Sequence, residues 1–287
     1  MNAWQARRSL TAEQKEILSS KAVDFRGSCE DVIKTLTPVA AYDAAMDGMR
    51  APLVWVIVLS ILALIPTLIL GAKGGWSPQS AAPFFLCLAL GGTAIALRLA
   101  VGKTDLSNNL RDSALPVFRF LAEDFARGEA VHVQMDLRPP TDPAKKQGVR
   151  DLPKRGRYYQ LAETAFEDPW LTVEGTMNDG AHLTFRVIES LRVIDRRKRG
   201  ASGKTRMSTI HRKKTRVAVQ LAVRRSDYDV TSPEGGRVKS GPKRHVISLS
   251  RAEKTRDLSP ISPTLLLDVV TDAYRSVHRI GKEATAQ

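Results

Sequence analysis

The chain has 287 residues and carries 44 Lys or Arg against 30 Asp or Glu, a formal net charge of +14. That length accommodates a membrane segment and one soluble domain with a full core, and a count of two cysteines excludes a disulfide framework or a cysteine-built metal cluster. The charge is concentrated rather than spread, because residues 192–225 hold thirteen basic side chains against the single acid Asp195, which points to one anionic partner engaging one segment.

In chain order, Thr11 and Gln14 have the spacing of a capping box, where threonine and glutamine side chains reciprocally satisfy backbone donors at a helix start. Leu18, Ala22, Phe25, Cys29, Val32 and Leu36 follow at spacings of four and three, predicting one amphipathic helix with a break or kink at Pro38. Residues 1–50 are thus expected to form an N-terminal amphipathic helical region.

Residues 51–101 are expected to form a transmembrane helical hairpin. The first segment, 51–72, has no ionisable residue, and its 22 positions give about 33 Å of helix at about 1.5 Å per residue, enough for a hydrocarbon core of about 30 Å. The second, 81–97, is uncharged and lengthens if Arg98 snorkels toward the headgroups. Residues 73–80 between them are polar and turn-forming, with Trp76 at the depth where amphipathic aromatics collect. Arg50, Arg98, Lys103, Arg111 and Arg119 flank the spans while only Lys73 lies in the connection, so the positive-inside bias predicts both termini in the cytoplasm. No apolar stretch near residue 10 marks a cleaved signal peptide, and the small residues Ala89, Gly91, Gly92, Ala94 and Ala96 suit helix packing without conduction.

Residues 102–128 carry a second stripe, Leu106, Leu110, Ala114, Val117, Leu121 and Phe125. The two stripes are expected to bury each other as a cytoplasmic helical stalk; pairing of the first between subunits is the alternative.

From residue 129 the period changes to two, which marks half-buried strands. Alternation covers 131–137, 158–166, 170–177, 183–193, 217–223 and 246–249, and Asn178, Asp179 and Gly180 supply a hairpin turn. Prolines and charges predict a mobile loop at 138–155, and Ser262 with Pro263 opens an amphipathic C-terminal helix containing Leu266, Val269, Val270, Ala273 and Val277. The expected fold of residues 129–287 is a mainly antiparallel sheet or barrel of about six strands closed by that helix.

Inside this domain the apolar alternation stops at Val193 and resumes at Val217, and the intervening basic arm has almost nothing to bury. Arg196, Arg197, Lys198, Arg199, Lys204, Arg206, Arg212, Lys213, Lys214 and Arg216 are its candidate polyanion-binding residues, with Gly200 and Gly203 suiting a central turn. A two-stranded ribbon does not hold itself together in water, so the arm is either a solvated loop or an element ordered on contact with a partner. Anionic lipid headgroups or an acidic protein surface are the expected partners, ahead of nucleic acid, because residues 196–216 hold no aromatic for base stacking.

Enzyme chemistry finds little footing. His132, His182, His211, His245 and His278 are scattered, and the run ending in Gly203, Lys204 and Thr205 lacks the first glycine of a phosphate-binding loop and precedes a strand. Asp168, Glu174, Asp179 and Glu189 show no convergence along the sequence. No cofactor and no metal is expected. The whole reads as a non-enzymatic, hairpin-anchored binding or assembly protein of a bacterial-type inner membrane, with a homo-oligomer or an accessory role in a transport complex as further options. Its plan of helix, membrane hairpin, helix and basic β-domain resembles that of bacterial inner-membrane proteins, a likeness of architecture without a specific motif.

Overall fold

The structure is a computed structural model describing residues 3–75, 78–200 and 202–280; the expected interfacial site of Trp76 lies outside the described residues. Two compact units divide the chain, Met1–Ser19 with Pro38–Leu106, and Ser20–Thr37 with Ser107–Gln287.

The first unit contains α1 (Ala3–Ser9), nearly all of α2 (Ala12–Ser20), the greater part of the 46-residue α3 (Cys29–Gly74) and α4 (Pro78–Lys103). The capping box forms, with Thr11 N–H donating to Gln14 Oε1 at 3.0 Å and Gln14 N–H to Thr11 Oγ1 at 3.3 Å. Helix α3 runs through Pro38 instead of ending there, and through Pro52 and Pro66 as well. Both α3 and α4 are long and apolar enough to cross a membrane, and their most apolar windows are only 12% and 11% buried, which separates them from the core helices of a soluble protein. Trp55, Leu59, Leu62, Phe85 and Leu86 face outward. Leu53, Ala94 and Val101 bury one another beside Met46 and Ile57, and a Cβ at Gly91 would lie 3.3 Å from Ser60 Cβ, a close approach that the glycine eases. Where the apolar residues stop, Arg50 pairs with Asp105 at 2.5 Å and the Leu106 N–H donates to Asp43 Oδ1 at 3.1 Å.

The second unit is built on β1 (Ala22–Gly27), β2 (Val131–Asp136), β3 (Lys146–Leu152), β4 (Tyr158–Thr176), β5 (His182–Arg199), β6 (Thr205–Arg224), β7 (Tyr228–Val230), β8 (Gly236–Ser240), β9 (Arg244–Thr255) and β10 (Val277–Arg279). An eight-stranded sheet has the order β1-β2-β4-β5-β6-β9-β8, with β3 beside β4, and every pairing is antiparallel; β7 and β10 form a separate ribbon. Helix α5 (Leu115–Leu121), entered through a π-helical turn at Leu110–Ala114, packs with α6 (Pro263–Arg275), and α6 packs on β6 and β9. Alternation supplies the core: Leu183, Phe185 and Val187 of β5 and Val217, Val219 and Leu221 of β6 are buried with Leu266, Val269, Val270 and Ala273 of α6. Ser262 caps α6, accepting from the Thr264 N–H at 3.3 Å with Pro263 in the first turn, as its sequence predicts.

The sheet is open rather than barrel-like and has eight strands rather than six, and each difference has a local cause. Residues 22–27, given helical periodicity by Ala22 and Phe25, form β1 instead, because Lys21 turns the chain with φ 53° and Ser28 starts a new helix by accepting from the Asp31 N–H at 3.1 Å. Freed from α2, Val23 and Phe25 alternate along the edge of β2, and the Leu137 N–H donates to Lys21 O at 2.8 Å. The stalk helix expected over 102–128 is not continuous: α4 ends at Lys103, residues 104–108 are non-helical, and helix resumes only from the turn at Leu110 to Leu121; Cys29 Sγ lies 3.7 Å from Phe118 O, and Leu36, Leu110, Val117 and Leu121 are each buried. Residues 138–155 are structured, not a loop, since Asp142 caps a short 3-10 turn at Pro143–Lys145 and β3 then pairs with β4. The two strands expected at 158–166 and 170–177 are one, β4, with a register shift between Asp168 and Leu171 that accommodates Pro169.

The arm likewise is a ladder and not a loop. Strands β5 and β6 pair out to Arg199↔Thr205, and β4 supports β5 as far as Tyr158↔Lys198, with β3 beyond it. Four strands replace the two that would have been unstable alone. Amide hydrogen exchange in the full chain is therefore expected to be slow across residues 190–198 and 206–214 and fast at 202–204; uniformly fast exchange across 190–214 would restore the solvated loop.

Candidate polyanion-binding face

The register of β5 with β6 has no shift from His182↔Ala222 to Arg199↔Thr205, so side chains alternate strictly between two faces. One face holds Leu183, Phe185, Val187, Glu189 and Leu191 against Leu221, Val219, Val217, Thr215 and Lys213, and is buried. The other holds Arg186, Ile188, Ser190, Arg192, Ile194, Arg196 and Lys198 against Ala218, Arg216, Lys214, Arg212, Ile210, Ser208 and Arg206. Of the ten residues singled out from the sequence, Arg196, Lys198, Arg206, Arg212, Lys214 and Arg216 converge on this second face. Arg197 and Arg199 stand on the opposite side of the arm, Lys204 lies in the turn, and Lys213 is buried. Arg186 and Arg192 complete the second face from β5 and Lys254 from β9. Counting every second residue from Arg186 would have found the first two; Lys254 required the register of β9.

Three like-charge pairs lie directly opposite one another on this face: Lys198↔Arg206, Arg192↔Arg212 and Lys214↔Lys254. Like charges so placed destabilise a sheet. Among the described residues none of the six forms an ion pair, whereas Arg138, Arg150, Arg251 and Arg275 of the same unit each reach a carboxylate. Around Arg192, Arg212, Lys214, Arg216, Lys254 and Arg256 the surface is concave, a cleft of about 810 Å³ whose lining includes one acid, Glu167. Farther out the Arg196 guanidinium lies 4.8 Å from the ring centre of Tyr158, and Tyr159 Oη is 3.4 Å from Thr205 Oγ1. The aromatics missing from residues 196–216 are thus supplied by the neighbouring strand, which removes one sequence argument against nucleic acid.

No protein-family model, curated protein or solved structure matches the chain. Its function has to be argued from geometry.

Beneath the face lies a buried ionic row. Asp168 and Glu189 are cross-strand neighbours and Glu189 is in turn opposite Thr215, so two of the four carboxylates that showed no convergence in the sequence meet in the fold, whereas Glu174 lies opposite Thr184 and Asp179 in the hairpin turn. Lys145 Nζ is 2.8 Å from Asp168 and 3.4 Å from Asp136 and donates to Arg138 O at 2.8 Å. Lys213 Nζ is 3.3 Å from Glu189 and donates to Ser259 O. Asp168, Glu189, Lys145 and Lys213 are no more than 3% exposed at their side chains. Burial raises the Asp168 carboxyl to about 6 despite Lys145, with Asp136 and Glu189 adding to the rise, and neither Asp168 oxygen receives a well-aligned hydrogen bond. Burial also opposes ionisation of Asp136, but the hydrogen bonds from Arg138 win and hold its carboxyl below the ordinary range. Charges paired with one another in this way join β2, β4, β5 and β6.

Lys145→Met removes the counter-ion shared by two carboxylates and is expected to cost about 3–5 kcal/mol near neutral pH in denaturant titrations. Asp168 takes up its proton near pH 6 in the fold against 3.8 ordinarily, so protonating it favours the fold as pH falls from about 6 toward 4, and that advantage is lost as pH rises. The variant's deficit should accordingly be smaller at pH 5 than at pH 8. An equal deficit at both would show that the Asp168 charge is not what Lys145 offsets.

Proposed function

We propose that this protein is a membrane-anchored binding module whose basic sheet face engages anionic lipid headgroups. In this reading α3 and α4 cross the bilayer as an antiparallel hairpin with both termini on the cytoplasmic side. What supports the anchor is two long apolar helices that are largely exposed among the described residues, small residues where Gly91 meets Ser60, and polar ties from Arg50 and Asp43 where the apolar residues end. The cationic flanks Arg50, Arg98, Lys103, Arg111 and Arg119 against Lys73 set the direction.

The observation that carries the binding role is the set of three like-charge cross-strand pairs, none of them neutralised within the described residues. A sheet that keeps such pairs gives up stability unless an anion offsets them. Lipid is favoured because the anchor holds it beside the domain at all times, and each basic residue near an anionic surface contributes roughly 1 kcal/mol. Stacking of Arg196 on Tyr158 gives nucleic acid a second claim.

Two experiments test this. A reporter active only outside the cytoplasm should work when inserted at Gly75 and fail at either terminus; activity at the C-terminus would reverse the orientation. For the face, the full chain in zwitterionic nanodiscs should co-float with vesicles containing phosphatidylglycerol. That binding should weaken as the screening length falls from about 10 Å at 0.1 M salt to about 3 Å at 1 M. Lys198→Glu with Arg206→Glu and Arg212→Glu should abolish it, while Arg197→Glu with Arg199→Glu, on the other face, should leave most of it. Retention of single-stranded nucleic acid without vesicle binding would replace the lipid reading by the nucleic-acid one.

A further inference from the structure

The cleft on the basic face differs from the rest of that face in being concave and in having its cations arranged around one volume. Arg192 and Arg212 are directly opposite on β5 and β6, and one side-chain repeat along, about 7 Å away, Lys214 and Lys254 are directly opposite on β6 and β9. Arg216 and Arg256 add further cations to the lining, with Ser190 beside them. Lys213 also reaches the cleft, but its charge is held by Glu189 and Ser259 O. A planar bilayer surface is met by charges on a flat or convex patch; about 810 Å³ of recess between two like-charge pairs is the shape of a discrete ligand.

We propose that this cleft is a site for a compact ligand carrying two or more phosphate groups, free in solution or at the end of a lipid headgroup, a proposal that rests on the reading of the face as polyanion-binding. Two successive cation pairs about 7 Å apart call for negative charge at two places rather than one. Arginine forks suit bidentate contact with phosphate oxygens and the two lysines act as point charges between them. Glu167 fixes where the anion sits. It stands in the row Glu167, Ser190, Lys214 and Lys254, at the β4 end, so repulsion moves the ligand toward β6 and β9, where cations face each other.

The probe is inorganic tripolyphosphate, titrated calorimetrically at fixed ionic strength into the full chain held in zwitterionic nanodiscs. One saturable site is expected. Lys214→Gln with Lys254→Gln should weaken it about tenfold or more, the loss of one or two charge-assisted hydrogen bonds. The same variant should raise the melting temperature without ligand, because it removes a like-charge pair, and that rise excludes misfolding as the cause of lost binding. Arg197→Gln with Arg199→Gln, on the opposite face, should leave the affinity within about twofold, having no contact to lose. If anionic vesicles bind but tripolyphosphate shows no saturable site, the cleft proposal falls and the lipid-facing reading stands; if neither binds, both fall. Equal weakening by the two variant pairs would also overturn the site, since only diffuse attraction would remain. Phosphatidylinositol bisphosphate in the nanodisc that blocks tripolyphosphate would identify a multiply phosphorylated lipid headgroup as the source of the phosphates, and undiminished binding would identify a soluble ligand.

Discussion

An unshifted ladder of 18 pairs between β5 and β6 is the constraint on which the unit depends. Because its register never slips, apolar side chains at the inner end and cations at the outer end obey one alternation, and the same odd positions that fill the core with Val187, Phe185 and Leu183 carry Glu189 and Leu191 outward along the arm. A one-residue bulge in either strand would have turned the remaining side chains over, mixing the Arg192 and Arg212 pair with the face of Lys213. The two register shifts of β4 against β5, at Tyr158 to Gln160 and at Asp168 to Leu171, lie on the other side of β5 and leave the β5–β6 alternation intact.

Where core gives way to arm, the inner face passes from hydrocarbon to ions before it reaches solvent. Glu189 continues the row in which Val187 stands two places earlier, Asp168 lies opposite it, and each is neutralised by a lysine brought from outside the β4–β5 pair: Lys213 from β6 for Glu189, Lys145 from the turn before β3 for Asp168. Removing either lysine would strand a charge in a low-dielectric interior, whereas the intact row is geometrically demanding and adds little net stability. Its effect is registration. A slip of β6 against β5 would separate Lys213 from Glu189, and lifting the 3-10 turn would expose Asp168 unpaired.

Local signals were legible in the sequence wherever a residue and its partner lie within one turn. The capping box at Thr11 and Gln14, the Ser262 and Pro263 helix start, and the turn at Asn178 to Gly180, where Gly180 has φ 80°, all form as their residue types require. Misreadings came where the partner is distant. Residues 22–27 fit a helical stripe about as well as a strand, and what decides is the edge of β2, more than a hundred residues downstream; the clue available locally was Ser28 with Asp31, a second helix start that makes sense only if the first helix has ended. Residues 146–152 are exposed along their whole length apart from Leu152, so they show no alternation to read, and their strand exists because β4 offers a ladder. The candidate site was half legible. Composition located the cations, but their division between two faces, the entry of Lys254 and the capture of Lys213 by Glu189 follow from register and could not be read from charge density.

The pairing of β1 with β2 also dictates an order of biosynthesis. Strand β1 is made before either apolar helix and its partner after both, so the edge of the sheet stays unsatisfied while on the order of a hundred residues are translated, roughly 5–20 s at typical rates. During that interval Val23 and Phe25 have no strand to join. Synthesis of both apolar helices thus precedes closure of the sheet: a chain that stops within α4 carries an N-terminal segment with an unpaired edge, an open invitation to chaperones and proteases. The β1 edge of the sheet is therefore completed only after both long apolar helices have been made, so this strand pairing of the second unit waits on the synthesis of the first.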